Sequence, residues 1–388
     1  MKSPRIELPT SQNWSCHGCT DCCRDQFLIT ISAGEKKRIE QQQWSQADGV
    51  DPDELILPQG NGFRLAHQIN GACVFLDDGG RCRIHARFGE AAKPLACRLY
   101  PLVIHPAGGK LVVGLRFSCP SAATNRGSPM SEQRSEVQKL VDLILPKDYE
   151  EGSPPPVLTA SGGEWPDFLR FIRWLDTAMA GENVPTALKL LRALHWLKSV
   201  EKGALDQITG SGADEILDAL TKNAADKVSR LPEGFPRPSR FGRLFLRMLV
   251  LEHARVVTVE DMSDAGRYRG EMLRAIFRLL LPGGSAPALR NGLNRIKFDI
   301  IENSTWLLPQ EADAVLSRFF RVKIQSIHFC GRAFHDRPLI EGFRSLALLY
   351  PVIVWLSRWL AASDGRTNLG ESDISRAISM LRAKAPES

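Results

Sequence analysis

Apolar positions recur at three- and four-residue intervals along most of the chain beyond residue 130, the period that buries one face of an α-helix. This pattern predicts helices over 131–145, 167–179, 184–200, 213–221, 240–256, 271–281, 312–329, 340–361 and 374–383. Breaks containing Pro, Gly or Ser at 151–156, 231–239, 282–287 and 363–370 separate them. Nearer the amino terminus the apolar runs are shorter and of mixed period. Residues 27–31 are apolar and β-branched and predict a strand, after which Ser32, with Glu35 three residues later, predicts a capped helix toward Gln43. Residues 48–62, rich in Asp, Pro and Gly, predict a loop. Val74-Phe75-Leu76 is strand-like, and Asp77-Asp78-Gly79-Gly80 suits a turn, a hairpin that would bring Cys73 and Cys82 together. Pro94 marks a helix start or a sharp bend before Cys97, and the runs 102–104 and 111–113 predict a second hairpin around Pro106 and Gly108-Gly109. The fold class expected is α+β: a small cysteine-rich domain over residues 1–128, followed by an irregular all-helical domain over 129–388.

The most apolar stretch, residues 345–357, is bounded by Arg344 and Arg358 and contains Pro351. It is shorter than the roughly 20 apolar residues a bilayer span needs, so a buried helix pair or a kinked core helix is expected and no membrane association. The first 14 residues hold no apolar core of signal-peptide length, so a cytoplasmic protein is expected. Composition adds little against this picture: 43% hydrophobic and 24% charged residues describe a folded protein. The net charge of +6 comes from 50 basic and 44 acidic residues spread along the chain, so no basic arm for nucleic acid is expected.

The cysteines change the picture most. Eight of the nine lie between Cys16 and Cys119, four of them in the run Cys16-His17-Gly18-Cys19-Thr20-Asp21-Cys22-Cys23. Buried cysteine behaves as a small hydrophobe, but these four are surrounded by polar residues with no apolar face to bury. In a reducing compartment such clustering points to metal ligation rather than to disulfides. The candidate ligands are Cys16, Cys19, Cys22, Cys23, Cys73, Cys82, Cys97 and Cys119. Thiolate is a soft donor that selects zinc or iron-sulfur clusters over calcium or magnesium. Cys16-x-x-Cys19 fits half of a tetrahedral zinc site, whereas Cys16-x-x-Cys19-x-x-Cys22 with a distant Cys119-Pro120 has the three-plus-one form of bacterial ferredoxins. The spacing favours iron-sulfur and leaves zinc open. Adjacent Cys22 and Cys23 are expected to point apart, so that they serve two centres or one of them stays outside the shell.

Other residues carry lesser expectations. Arg98 could donate to cluster sulfur or hold an anionic group, and Tyr100 could stand behind the ligands, so both are candidates for cofactor contact. His17 and His85 adjoin cysteines, Asp21 and Asp25 are loop carboxylates, and Cys330, His328 and His335 form a second small group that fits core or surface positions better than ligation.

The stretches Cys16-x-x-Cys19-x-x-Cys22-Cys23, Cys73-Val74-Phe75-Leu76, Cys82-Arg83-Ile84-His85 and Cys97-Arg98-Leu99-Tyr100-Pro101 resemble the signature of the bacterial CxxCxxCC family of zinc- or iron-chelating domains. The resemblance covers roughly Ser15 to Pro120. The order of parts, with Ser118-Cys119-Pro120 followed by helices, is similar to the long members of that group, the flagellin lysine-N-methylases. The resemblance implies a metal centre, iron-sulfur in methylase-like members, and methyl transfer from S-adenosylmethionine to lysine on a protein partner. No glycine-rich strand-to-helix turn of a nucleotide fold accompanies it, nor does the Cys-x-x-x-Cys-x-x-Cys spacing of radical S-adenosylmethionine enzymes. A non-catalytic module for protein interaction and a structural zinc domain therefore stand beside the enzyme.

Overall fold

A computed structural model of the chain describes residues 4–24, 28–146, 149, 151–158, 163–181, 183–210, 212–231, 239–254, 283–289, 292–302 and 306–381, together with 270, 273, 274, 277 and 278. The architecture is α+β: small sheets in the amino-terminal part and a mostly helical remainder.

In the amino-terminal part, β1 (Arg5–Glu7) is followed by α1 (Asp21–Arg24), β2 (Thr30–Ile31) and α2 (Ala33–Gln41). Next come β3 (Ile56–Gln59), β4 (Gly62–Leu65), α3 (Arg83–Phe88) and α4 (Leu95–Leu99), then β5 (Leu102–Pro106), β6 (Lys110–Leu115) and α5 (Pro120–Ala123). One sheet has the order β1-β6-β5, with β1 parallel to β6 and the β5–β6 hairpin antiparallel, Leu102 opposite Leu115. The two β-branched runs expected to form a hairpin do so. Strand β6 is buried on both faces, and its alternation divides the core. Leu111, Val113 and Leu115 join Ile6, Val137 and Val141, while Val112 turns into the large helical core. Gly114 lies where a Cβ would stand 2.5 Å from the Ser326 side chain, so a helix end can seat directly on the strand.

The second sheet is antiparallel with the order β2-β4-β3. The Ser32–Glu35 capping box forms as its sequence signature predicts. Residues 48–62 are not wholly loop, because Ile56–Gln59 pairs with Gly62–Leu65. Pro58 is tolerated there because β3 is an edge strand, where a missing N–H removes no ladder bond. Val74 and Phe75 are turn rather than strand, and the expected hairpin is reduced to one antiparallel bridge between Leu76 and Cys82. Gln68 Nε2 donates to the Cys73 and Leu76 carbonyls at 3.1 and 2.8 Å and gathers that backbone into a loop. The Asp77–Gly80 turn is as expected, with Gly80 at a φ of +75° and its N–H bonded to the Asp77 carbonyl at 3.0 Å.

The helical part comprises α6 (Arg134–Ile144), α7 (Trp165–Ala178), α8 (Thr186–Lys202), α9 (Gly212–Lys227) and α10 (Arg240–Ala254), a two-strand pair β7 (Ser285–Ala286) and β8 (Ile296–Lys297), and α11 (Phe298–Ile301). It continues with α12 (Gln310–Gln325), α13 (Leu339–Ala347), α14 (Leu349–Ser363) and α15 (Glu371–Ser379). The helix expected over 271–281 lies outside the described residues, apart from 273, 274, 277 and 278, which are helical. The helical pattern over 340–361, read as a buried helix pair or a kinked helix at its most apolar stretch, is a pair of helices meeting at Leu348. Pro351 falls in the first turn of α14, where its absent N–H would have had no helical partner. Together, Leu339–Ser363 is long and apolar enough to cross a membrane by length and composition, with a mean hydropathy of 1.6. Its Phe343, Ile353, Leu356 and Leu360 are nonetheless fully buried in the core. That core runs from Ala107, Val112, Phe117 and Ala123 through to Met380, so the β5–β6 hairpin and α5 share it with the helices.

Candidate metal centre

Four separated chain segments carry the candidate thiols, and each is held by a local device. The first leaves β1 and is pinned by Trp14 N–H to the Ser128 carbonyl at 2.9 Å and by Ser15 N–H to the Arg126 carbonyl at 3.0 Å. Gly127 (φ +111°) lets the two backbones touch, since a Cβ there would lie 2.3 Å from the Ser15 nitrogen. Gly18 and Thr20 both take positive φ and wind the chain into α1, whose single turn carries Cys22 and Cys23. Their sulfurs are 3.9 Å apart. The expectation that neighbouring thiols point apart is not what the structure displays.

The second segment is stitched to the first by Cys73 N–H donating to the Cys23 carbonyl at 2.7 Å, and it places Cys82 at the cap before α3. In the third, Pro94 opens α4 as predicted, and the Leu95 N–H donates to Glu35 Oε1 at 2.7 Å, which ties the Cys97 turn to the start of α2. The fourth sets Cys119 at the cap of α5, with Pro120 at its first position.

These segments converge. Cys73 is within electrostatic reach of Cys97, Cys82 and Cys22; Cys97 of Cys82 and Cys22; and Cys19 of Cys119 and Cys22. Cys22 is thus common to both groups. Burial pushes the Cys73 and Cys97 thiols up to about 12, while the thiol contact with Cys23, then burial, raises Cys22. Working against burial, a backbone N–H two residues ahead favours the thiolate in two of the segments, Asp21 on Cys19 and Phe75 on Cys73. Cys119, at the cap of α5, makes no side-chain capping bond.

Lys93 is a contributor that sequence reasoning passed over. Its ammonium lowers both Cys22 and Cys97, and Glu35 opposes it at Cys97. The available signal was position: Lys93 precedes Pro94 and stands four residues before Cys97. Several expected residues take no visible part. Cys16 and His85 are exposed, and His17 Nδ1 pairs with the Ser121 hydroxyl. Tyr100 shares a hydrogen bond with the Ser118 hydroxyl at 3.1 Å, and Arg98 buries its Nε without a partner. Asp25 lies outside the described residues. Cys330 is buried in the helical core beside Gly342, remote from the cluster in environment, and His335 is exposed.

In kind, the donors fit a soft metal: thiols on four segments, with backbone N–H groups turned on two of them. Residues 15–120 match the family model CxxCxxCC, described as "Putative zinc- or iron-chelating domain". No curated protein and no solved structure matches the chain. The match ends where α5 begins, so the helices beyond it fall outside the matched residues. Among the described residues, no three His, Cys, Asp or Glu side chains are drawn close enough to enclose one ion. The thiols of the matched residues are gathered into one region but are not set at coordination distance.

Proposed function

We propose that residues 15–120 hold a cysteine-ligated metal centre, an iron-sulfur cluster in preference to zinc. The observation that carries this reading is the gathering of thiols from separated segments: the Cys22 and Cys23 sulfurs are 3.9 Å apart, and the Cys73 N–H is bonded to the Cys23 carbonyl at 2.7 Å. Thiols brought together from distant parts of a chain fit a shared soft metal better than separate core positions. Cys22, Cys73, Cys82 and Cys97 form one four-thiol set, with Cys23 beside it. Cys19 and Cys119, with Cys16 near them in sequence, form the neighbouring group. The preference for iron-sulfur rests on the Cys16-x-x-Cys19-x-x-Cys22 spacing with the distant Cys119-Pro120, which assigns the cluster to the second group with Cys22 as its fourth thiol. When bound, a cluster would supply one-electron chemistry or a rigid scaffold, and zinc a scaffold alone. The chain's own part is to bring four segments together, exclude water from Cys73 and Cys97, and set Lys93 beside them.

Metal and acid-labile sulfide analysis with a visible spectrum, on protein purified without oxygen, tests this. Iron with sulfide and a broad charge-transfer band is expected. Zinc without colour would make the centre structural, and absence of both metals would overturn the reading. The methylase-like reaction rests on the order of parts alone, with a cytoplasmic protein as substrate. Transfer of label from S-adenosylmethionine to lysine of a co-encoded protein would establish it, and no transfer by cluster-loaded protein would leave a binding module.

A further inference from the structure

Apart from the thiols, one group of side chains sets an arginine and a lysine beside two histidines, and among the described residues no acid faces it. His105 lies on β5 opposite Val112, Lys323 is near the end of α12, His328 follows in the next turn, and Arg116 stands just past β6. Lys323 Nζ donates to His328 Nδ1 at 2.9 Å, which leaves the proton of a neutral His328 on Nε2. The His105 and His328 rings are 5.2 Å apart. His105 Nε2 is sealed from solvent with no hydrogen-bond partner. Among the described residues the Arg116 guanidinium has no hydrogen bond or ion pair.

The surroundings offer these groups no compensation. Burial, then the charge of Arg116, pushes Lys323 down to about 7; burial, then Lys323 and Arg116, pushes His105 down to about 4. No carboxylate acts on Lys323, His105 or His328. Acids on neighbouring elements are engaged elsewhere: Asp176 of α7 holds Arg321 through two contacts of 2.9 Å and accepts from Gln325, and Glu151 accepts from the Gly108 and Gly109 N–H groups. Lys323, His105 and His328 are densely surrounded by protein, yet each keeps part of its surface open. A buried lysine beside an arginine without a counter-charge destabilises a fold, and perturbed groups of this kind cluster where a ligand uses them.

We propose that Arg116, Lys323, His105 and His328 form a binding site for a small-molecule oxyanion, a carboxylate or a phosphate. Arg116 supplies a planar fork for two oxygens and Lys323 a point charge, with the His105 and His328 rings beside them. The site is independent of the metal centre, since none of its four side chains is a candidate metal ligand.

Calorimetric titration of the full chain with inorganic phosphate and, separately, with acetate tests the assignment and distinguishes the two chemistries. At least one anion should bind the native protein, and Arg116→Gln should weaken it by about tenfold or more, the worth of one charge-assisted contact. Arg116 has no partner to lose, so this variant should fold normally. A second variant, Lys323→Met, should abolish binding and also raise the melting temperature of the anion-free protein, because it removes a repelled cation. Binding of neither anion, or binding that both variants leave unchanged, would overturn the proposal. So would a lower melting temperature for anion-free Lys323→Met, which marks Lys323 as a structural group.

Discussion

Cys22 and Cys23 stand on one helical turn with their sulfurs 3.9 Å apart, close to the edge of about 3.8 Å that a tetrahedral ion with metal–sulfur bonds of about 2.3 Å requires. The pair can therefore share an ion, a geometry not anticipated from their adjacency, because rotamer choice rather than backbone direction sets where two neighbouring sulfurs fall. Cys22→Ser and Cys23→Ser should each reduce bound metal measured by elemental analysis. Full metal retention in Cys23→Ser would leave Cys22 as the only ligand of the two. Cys330→Ala provides the contrast: buried beside Phe329 and Gly342, it should keep its metal and lose about 1 kcal/mol of stability from a small cavity. Ligand type was legible in the sequence because clustered thiols among polar residues have few other uses. The role of Lys93 was not, since a lone lysine before a proline has no signature of its own.

Elements join through Glu35, which does more than cap α2. Its Oε2 accepts from the Ser32 N–H and hydroxyl at 2.8 and 2.9 Å, and its Oε1 accepts from the Leu95 N–H at 2.7 Å. Burial opposes ionisation, but the Leu95 and Ser32 donors outweigh it, so the carboxyl is held below the usual carboxylate range. A depressed folded value means the stability contribution is complete above the unfolded value of about 4.3 and is lost as pH falls toward the folded one. Glu35→Gln should cost about 1–2 kcal/mol at neutral pH by denaturant titration, and the difference from the native chain should shrink below about pH 4. An unchanged difference at acid pH would show that shape, not charge, links α2 to α4. The capping box was legible because it spans three residues, whereas the bond to Leu95 spans 60 and follows from packing alone. The same distinction separates the β5–β6 hairpin, written in two β-branched runs around Gly-Gly, from β3. That strand contains Pro58 and polar neighbours and exists because β4 is beside it.

On the scale of the molecule, one arginine ties the residues that flank the matched stretch on both sides to the long helix α12. Arg318 on α12 donates to the Ala122 and Ala123 carbonyls at 3.1 and 2.7 Å and to Gln12 Oε1 at 2.9 Å, while Gln12 Nε2 also reaches the Ala122 carbonyl at 3.0 Å. The last carbonyls of a helix lack intrahelical partners, and here α5, which begins immediately after Cys119, receives them from a long core helix. Burial lowers the guanidinium to about 10, still charged at neutral pH, so the cation remains available to that carbonyl end. Arg318→Leu would take from the Ala123 carbonyl its closest donor, while Gln12 still reaches the Ala122 carbonyl, at a cost of about 1–3 kcal/mol. The consequence should extend beyond stability: freeing α5 loosens the turn capped by Cys119. In the folded variant, Cys119 should alkylate faster than in the native protein while Cys73 and Cys97, fixed by α2 and α4, keep their native rates. Equal acceleration at all three would mean that the cluster opens as one unit. No acceleration at Cys119 would mean that the helices carry the amino-terminal part without holding its thiols in place.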